Sequence, residues 1–186
     1  MTLPQPSWVV AVLLEDDLLA LNRAVGIVRR RNLPIVSVSL GPSTRIGVSR
    51  LTTVLATDQA SVDRMANQLR KMVGVLAVTV TPEAECITRE HALIRVRVSP
   101  AELAGLLDTI ALYQAAVVEE YAHELVLEAT AAPPILVSLL RALEPFGVLD
   151  VVRSGAIALP RPDADDSAAG GRAAQPAARV ATAIPA

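Results

Sequence analysis

The sequence predicts an α+β fold made of two successive βαββαβ units, each a four-stranded antiparallel sheet with two helices on one face. Three observations carry that expectation. Runs of strand length and amphipathic runs of helix length follow one another as strand, helix, strand, strand, helix, strand, and the order occurs twice. Breakers stand where helices should stop: Asn32 with Pro34, then Gly74, then Gly147. Hydrophobic residues make up 52% of the 186 and aromatics only 2%, so a core can be buried but must be aliphatic.

The elements follow in order. Ser7 to Leu14 is an almost unbroken apolar run, the pattern of a strand covered on both faces or at a packed edge. Asp16 and Asp17 stand where a helix should begin, where carboxylates accept from orphan N–H groups and complement the dipole. Leu18, Leu21, Val25 and Val28 repeat at helical spacing, with Arg23, Arg29 and Arg30 mostly opposite. Ile35 to Leu40 alternates: Val36, Val38 and Leu40 point one way, Ser37 and Ser39 the other. "GPSTRIG" is a turn-rich loop, and residues 50–56 read as a third strand. Val62, Met65, Ala66, Leu69 and Met72 form the stripe of a helix over 61–72, and residues 75–81 a fourth strand. "TPEAECITR", 81–89, reads as a polar connector.

The second unit begins with an alternating strand over 91–98, in which Ala92, Ile94, Val96 and Val98 share a face. A helix is expected over 100–112, a hairpin from 115–119 and 124–129, and a helix over 133–146 with its prolines in the first turn. Short strands over 148–152 and 156–159 flank "RSG". The expected domains are therefore 1–82 and 83–161, the whole being two ferredoxin-like units. Residues 162–186, rich in Ala, Pro, Gly and Asp without periodicity, read as a disordered tail.

Composition excludes several function classes. A formal net charge of -2 argues against a nucleic-acid binder. One cysteine, Cys86, excludes an internal disulfide, and two histidines, His91 and His123, both expected in strands, are not spaced as metal ligands. The apolar run near the N-terminus lacks a preceding basic region and is too short to span a bilayer, so the expected location is the cytoplasm. Glu119 and Glu120 are adjacent and would face opposite sides of a strand, which is no acid/base pair. "GPSTRIG" lacks the lysine of a phosphate loop. Arg29–Arg31 reads first as a solvated helix end beside the negative end of the dipole. The expectation is a non-enzyme that binds neither metal nor cofactor, and whose apolar strand faces are covered by a second copy or another protein.

Five stretches carry a resemblance: "LLEDDLLALNRAVGIVRRRNLPIVSVSLGPS", "GVSRLTTV", "QLRKMVGVLAV", "ITREHALIRV" and "LLRALEPFGVLDVVRSGAIALPR". In this order the chain resembles the regulatory small subunits of acetolactate synthase (acetohydroxyacid synthase) over residues 8–161. The resemblance implies an N-terminal ACT domain, a C-terminal ferredoxin-like domain and no catalytic activity. It also implies a catalytic large-subunit partner that uses thiamine diphosphate, magnesium and flavin in branched-chain amino-acid synthesis, and pairing of ACT domains around a branched-chain amino-acid effector, often valine.

The effector contacts implied by the resemblance fall on Asp16, Asp17, Leu18, Leu19 and Ala20 at the first turn, and on Pro34, Ile35 and Val36 at the start of the second strand. Backbone N–H groups at the helix start would hold a carboxylate, and the second strand of a partner chain would close the site. Helix capping alone is the other reading of Asp16 and Asp17. The chain departs from the family here. Asp16 stands for an asparagine, Leu19 for a glycine, Pro34 for an asparagine and Val36 for a glutamate. Leucine forbids the close approach that glycine allows, and proline has no N–H. Valine feedback is therefore expected to be weak or altered. The alternatives are a free-standing ACT-type sensor with another partner and, less favoured, a small acyl-phosphate hydrolase built on Arg45.

Overall fold

The computed structural model describes residues 6–162; most of the segment expected to be a tail lies outside the described residues. The N-terminal unit runs β1 (Ser7–Glu15), α1 (Leu18–Arg30), β2 (Ile35–Pro42), β3 (Val48–Ala56), α2 (Gln59–Leu69) and β4 (Val75–Pro82). The C-terminal unit runs β5 (Cys86–Arg97), α3 (Leu103–Leu112), β6 (Ala116–Tyr121), β7 (Glu124–Ala131), α4 (Pro133–Leu143) and β8 (Val148–Arg153), followed by β9 (Ile157–Pro160). The sheet orders are β2-β3-β1-β4 and β6-β7-β5-β8, with every pairing antiparallel. In each unit the second, third, first and fourth strands stand side by side, which is the ferredoxin-like order expected.

The cores follow the stripes read from the sequence except in α1, where Ala20, Ala24, Ile27 and Val28 form the buried face and Leu18 and Val25 of the expected stripe are exposed. Val10, Val12 and Leu14 of β1 meet Ala24, Ile27 and Val28 of α1 and Val62, Met65 and Leu69 of α2. Ala92, Ile94 and Val96 of β5 meet Leu106 and Ile110 of α3 and Leu136, Leu139 and Leu143 of α4. Asp17 caps α1 by accepting from the Leu19 N–H (3.2 Å), and Asp58 caps α2 by accepting from the Ser61 N–H and Oγ–H (both 2.8 Å). Asn32, with φ 48°, turns the chain out of α1, and Gly147, with φ 76°, turns it into β8. No described helix is long and apolar enough to cross a membrane.

Several sequence expectations are corrected. Residues 86–89 belong to β5, where Cys86, Ile87, Thr88 and Arg89 pair with Pro160, Leu159, Ala158 and Ile157 of β9. Their polar neighbours in "TPEAECITR" masked a strand whose partner is some seventy positions away in sequence. His123 lies in the β6–β7 turn rather than in a strand. Helix α3 begins at Leu103 rather than near Pro100. The second face of the N-terminal sheet is not left wholly to another molecule. Val9 and Val54 of that face pack with Cys86, Ala156 and Ala158 in a small buried cluster of their own. With residues 156–158 the chain returns to cover part of its own first sheet.

That return makes a tight seam. Ser39 Oγ donates to the Ala156 carbonyl (3.0 Å), and the Ala156 N–H donates to Ser37 Oγ (3.2 Å). Arg50 Nη2 donates to the Ala158 carbonyl (3.3 Å). Gly155, with φ 76°, lies so close to β2 that a Cβ built on it would stand 2.7 Å from the Val38 carbonyl oxygen. On the far side of the turn, Arg153 grips the buried Glu90 carboxylate through both Nε (3.1 Å to Oε1) and Nη2. "RSG", marked in the sequence only as a spacer between strands, is therefore the joint between the two units.

Candidate functional site

The first group of candidate residues surrounds the β1–α1 turn. The Asp16 N–H donates to the Gly47 carbonyl (2.9 Å), and its Oδ1 accepts from Ser49 Oγ (2.8 Å). Asp16 thus ties the turn to the start of β3, and Asp17 alone caps the helix. Leu18 and Leu19 are exposed, at 79% and 59%. Ala20 is 2% exposed within the first core, and Gly74 passes close against it: a Cβ on Gly74 would stand 2.9 Å from Ala20 Cβ. Ala20 is a packing residue and offers no side-chain surface at the turn.

The second group, Pro34, Ile35 and Val36, is exposed at the start of β2. The structure does not bring the two groups together within one chain. Both β1 and β2 run antiparallel to β3, and Leu14 and Pro42 both pair with Ser49, so the turn lies beside the end of β2. The start of β2 lies at the other end of α1, which has 13 residues and a length of about 20 Å. Because β2 is the edge of its sheet, one side of its backbone is unpaired. Val38 and Leu40, whose β3 partners are Thr53 and Leu51, point to the helix side of the sheet but stay about half exposed.

Among the described residues, no nucleophile, acid/base pair or metal cluster is assembled at this turn. Cys86 is buried in the seam, where burial first, and then the charges of Glu83 and Glu85, push its thiol above the ordinary 9.0. His91 Nδ1 shares a hydrogen bond with Thr130 Oγ1 (2.9 Å) on the open face of the second sheet. Among the described residues, no three His, Cys, Asp or Glu side chains gather as metal ligands.

Comparison with known proteins agrees with the resemblance. The family model described as the small subunit of acetolactate synthase matches residues 89–162. The acetolactate synthase small subunit of Mycolicibacterium smegmatis is 31% identical over 156 residues, covering 84% of this chain and 92% of the relative. The chain belongs to the acetolactate synthase small-subunit family. The Mycobacterium leprae small subunit is likewise 31% identical over 156 residues, with the same coverage. A chloroplastic small subunit of Arabidopsis thaliana is 29% identical over 147 residues, covering 79% of this chain and 31% of that relative. The crystal structure of the Thermotoga maritima small subunit has the same fold, with a TM-score of 0.76 at 23% identity, covering 83% of this chain and 97% of that one. As a member of this family, the chain is a non-catalytic regulatory subunit in branched-chain amino-acid biosynthesis.

The seam was missed by sequence reasoning. Ser37, Ser39, Arg50 and Gly155 are ordinary residues singly. The available signal was the alternation of β2 itself, which places two small hydroxyl residues on one face of an edge strand, fit for close contact with another backbone.

Proposed function

We propose that this chain docks on the thiamine-diphosphate-dependent catalytic subunit of acetolactate synthase and activates it, with residues 1–82 acting as an ACT-type sensor domain and 83–161 as a second domain. Two copies associate through their β2 edges. The observation that carries the reading is the separation of the candidate effector residues at the two ends of α1. Under a twofold axis, antiparallel β2 edges bring the start of one strand beside the end of the other. The end of β2 is also where the β1–α1 turn lies. Pro34, Ile35 and Val36 of one copy would then face Asp16, Asp17, Leu18 and Leu19 of the other. Val36, Val38 and Leu40 supply the apolar cover that such an interface needs.

In this arrangement Leu19 would crowd the effector. It is exposed in the single chain and meets an obstacle only when a second copy closes over it. Overpacking of a tight site costs about 1–3 kcal/mol, or roughly 10- to 100-fold in affinity. Activation survives while valine inhibition is weak, because the two use different contacts. The test is titration of the cognate catalytic subunit with this protein, with and without valine, for the wild type and for the triple change Asp16→Asn, Leu19→Gly, Pro34→Asn. Stimulation by both, with stronger valine inhibition in the triple variant, supports the reading. Absence of stimulation by the wild type refutes it in favour of a sensor for another partner. Light scattering of Val38→Asp tests the shared edge: a buried unpaired carboxylate is costly, so the dimer should dissociate.

A further inference from the structure

The helices cover one face of the N-terminal sheet, and the seam lies on the other. Beside the seam, at the β2-end of that face, is a cleft of about 160 Å³ lined by Gly41, Pro42, Arg50, Thr52, Ile157 and Ala158. Its origin can be read from the strand register. Gly41 stands directly opposite Arg50 across the β2–β3 pair, so both belong to the same sheet face. A side chain at Gly41 would fill the space above the guanidinium, and none is there; a Cβ placed on it would meet nothing within 4 Å. Strand β9 forms the roof.

The chemistry of the cleft is that of one cation among aliphatic groups, with the hydroxyl residues Ser39 and Thr52 also in its wall. Among the described residues, Arg50 pairs with no carboxylate; its one side-chain hydrogen bond goes to the Ala158 carbonyl. A guanidinium has five N–H donors arranged to match a carboxylate, so most of them are left for a ligand. Pro42, Ile157 and Ala158 offer aliphatic contact. No lining residue is acidic, so a ligand ammonium would find no counter-charge. The volume lies below the ~300–1,000 Å³ of ordinary ligand pockets, which excludes a nucleotide.

We propose that this cleft binds a short aliphatic carboxylate without an amino group, of which a 2-oxoacid is one example, held by Arg50 in the space left by Gly41. The site is on the opposite sheet face from the β1–α1 turn and does not depend on the effector reading above. Both amino acids and 2-oxoacids supply the carboxylate; the missing counter-charge separates them.

The experiment is calorimetric titration of the full chain with 2-oxoisovalerate and, separately, valine, followed by NMR of the arginine Nε–H groups. We expect saturable binding of the oxoacid with the Arg50 signal shifting, and valine weaker by at least about tenfold. Arg50→Gln should weaken oxoacid binding by at least about tenfold, and Arg50→Lys by less. Gly41→Leu should abolish it with the thermal midpoint unchanged, which separates blocking the cleft from unfolding the chain. Failure of the wild type to saturate by about 20 mM overturns the proposal. So does undiminished binding by both Arg50→Gln and Gly41→Leu, or shifts confined to the β1–α1 turn. Valine binding as tight as the oxoacid overturns the ligand class.

Discussion

Replacing Gly155 by alanine tests whether the two units are joined by the seam. Gly155 has φ 76°, a region where an L side chain costs about 1–2 kcal/mol. Its Cβ would also stand 2.7 Å from the Val38 oxygen and 3.4 Å from the Val38 carbonyl carbon. Neither side yields easily. Val38 is held in register against Thr53, and Ala156 is held at both its N–H and its carbonyl by Ser37 and Ser39. Relief means sliding the strands apart and loosening the cluster of Val9, Val54, Cys86, Ala156 and Ala158. Overpacking of this kind adds about 1–3 kcal/mol. The expected total is about 2–5 kcal/mol, or a fall in thermal midpoint of roughly 4–20 °C for a fold of this size. Two other glycines isolate the contributions. Gly147 has the same φ of 76°, but the nearest atom to its Cβ is Arg97 Cβ at 3.8 Å, so Gly147→Ala should show the backbone cost alone. Gly26 lies inside α1 with nothing within 4 Å of its Cβ, so Gly26→Ala should stabilise by about 0.5–1 kcal/mol. Urea unfolding of the three variants gives the ranking. Equal losses for Gly155→Ala and Gly147→Ala would refute the close contact with β2.

Arg153→Ala leaves the Glu90 carboxylate, 5% exposed, without its guanidinium. A fully buried pair would cost more, but the Arg153 side chain is itself 36% exposed, so about 1–3 kcal/mol by chemical denaturation is expected. Cys86 should resist alkylation near neutral pH in the native protein and react at once after unfolding, because burial keeps it a thiol; rapid native labelling would contradict the buried seam. Asp58 is held below its ordinary 3.8, first by the Ser61 hydroxyl and then by the Ser61 N–H. A depressed folded-state value means stability that is present above the unfolded value and lost as pH falls through the folded one. The advantage of the wild type over Asp58→Ala in thermal midpoint should therefore be full at neutral pH and shrink in acid; a gap that does not change with pH would refute the ionic part of the cap.

The sequence by itself determined the local elements and the two repeated units, because each is specified by contacts close along the chain. Helix stripes such as Val62, Met65 and Leu69, the cap at Asp17 and the stop at Gly147 are all readable within a few residues. The five ordered stretches also carried the family. Part of the candidate site was legible in the same way: the β1–α1 turn and the start of β2 could be named, and their departures from the family could be seen. Only the tertiary structure decided how those pieces stand to one another. It put the two groups at opposite ends of α1, removed Ala20 into the core and gave Asp16 to Ser49. It also turned residues 86–89 from connector into strand and folded β9 back over the first sheet. These features depend on partners tens of residues away, as with Cys86 and Pro160 or Ser39 and Ala156. No periodicity along the chain encodes such pairings; they come from two surfaces of suitable shape meeting in space, with Gly155 small enough to let the backbones touch.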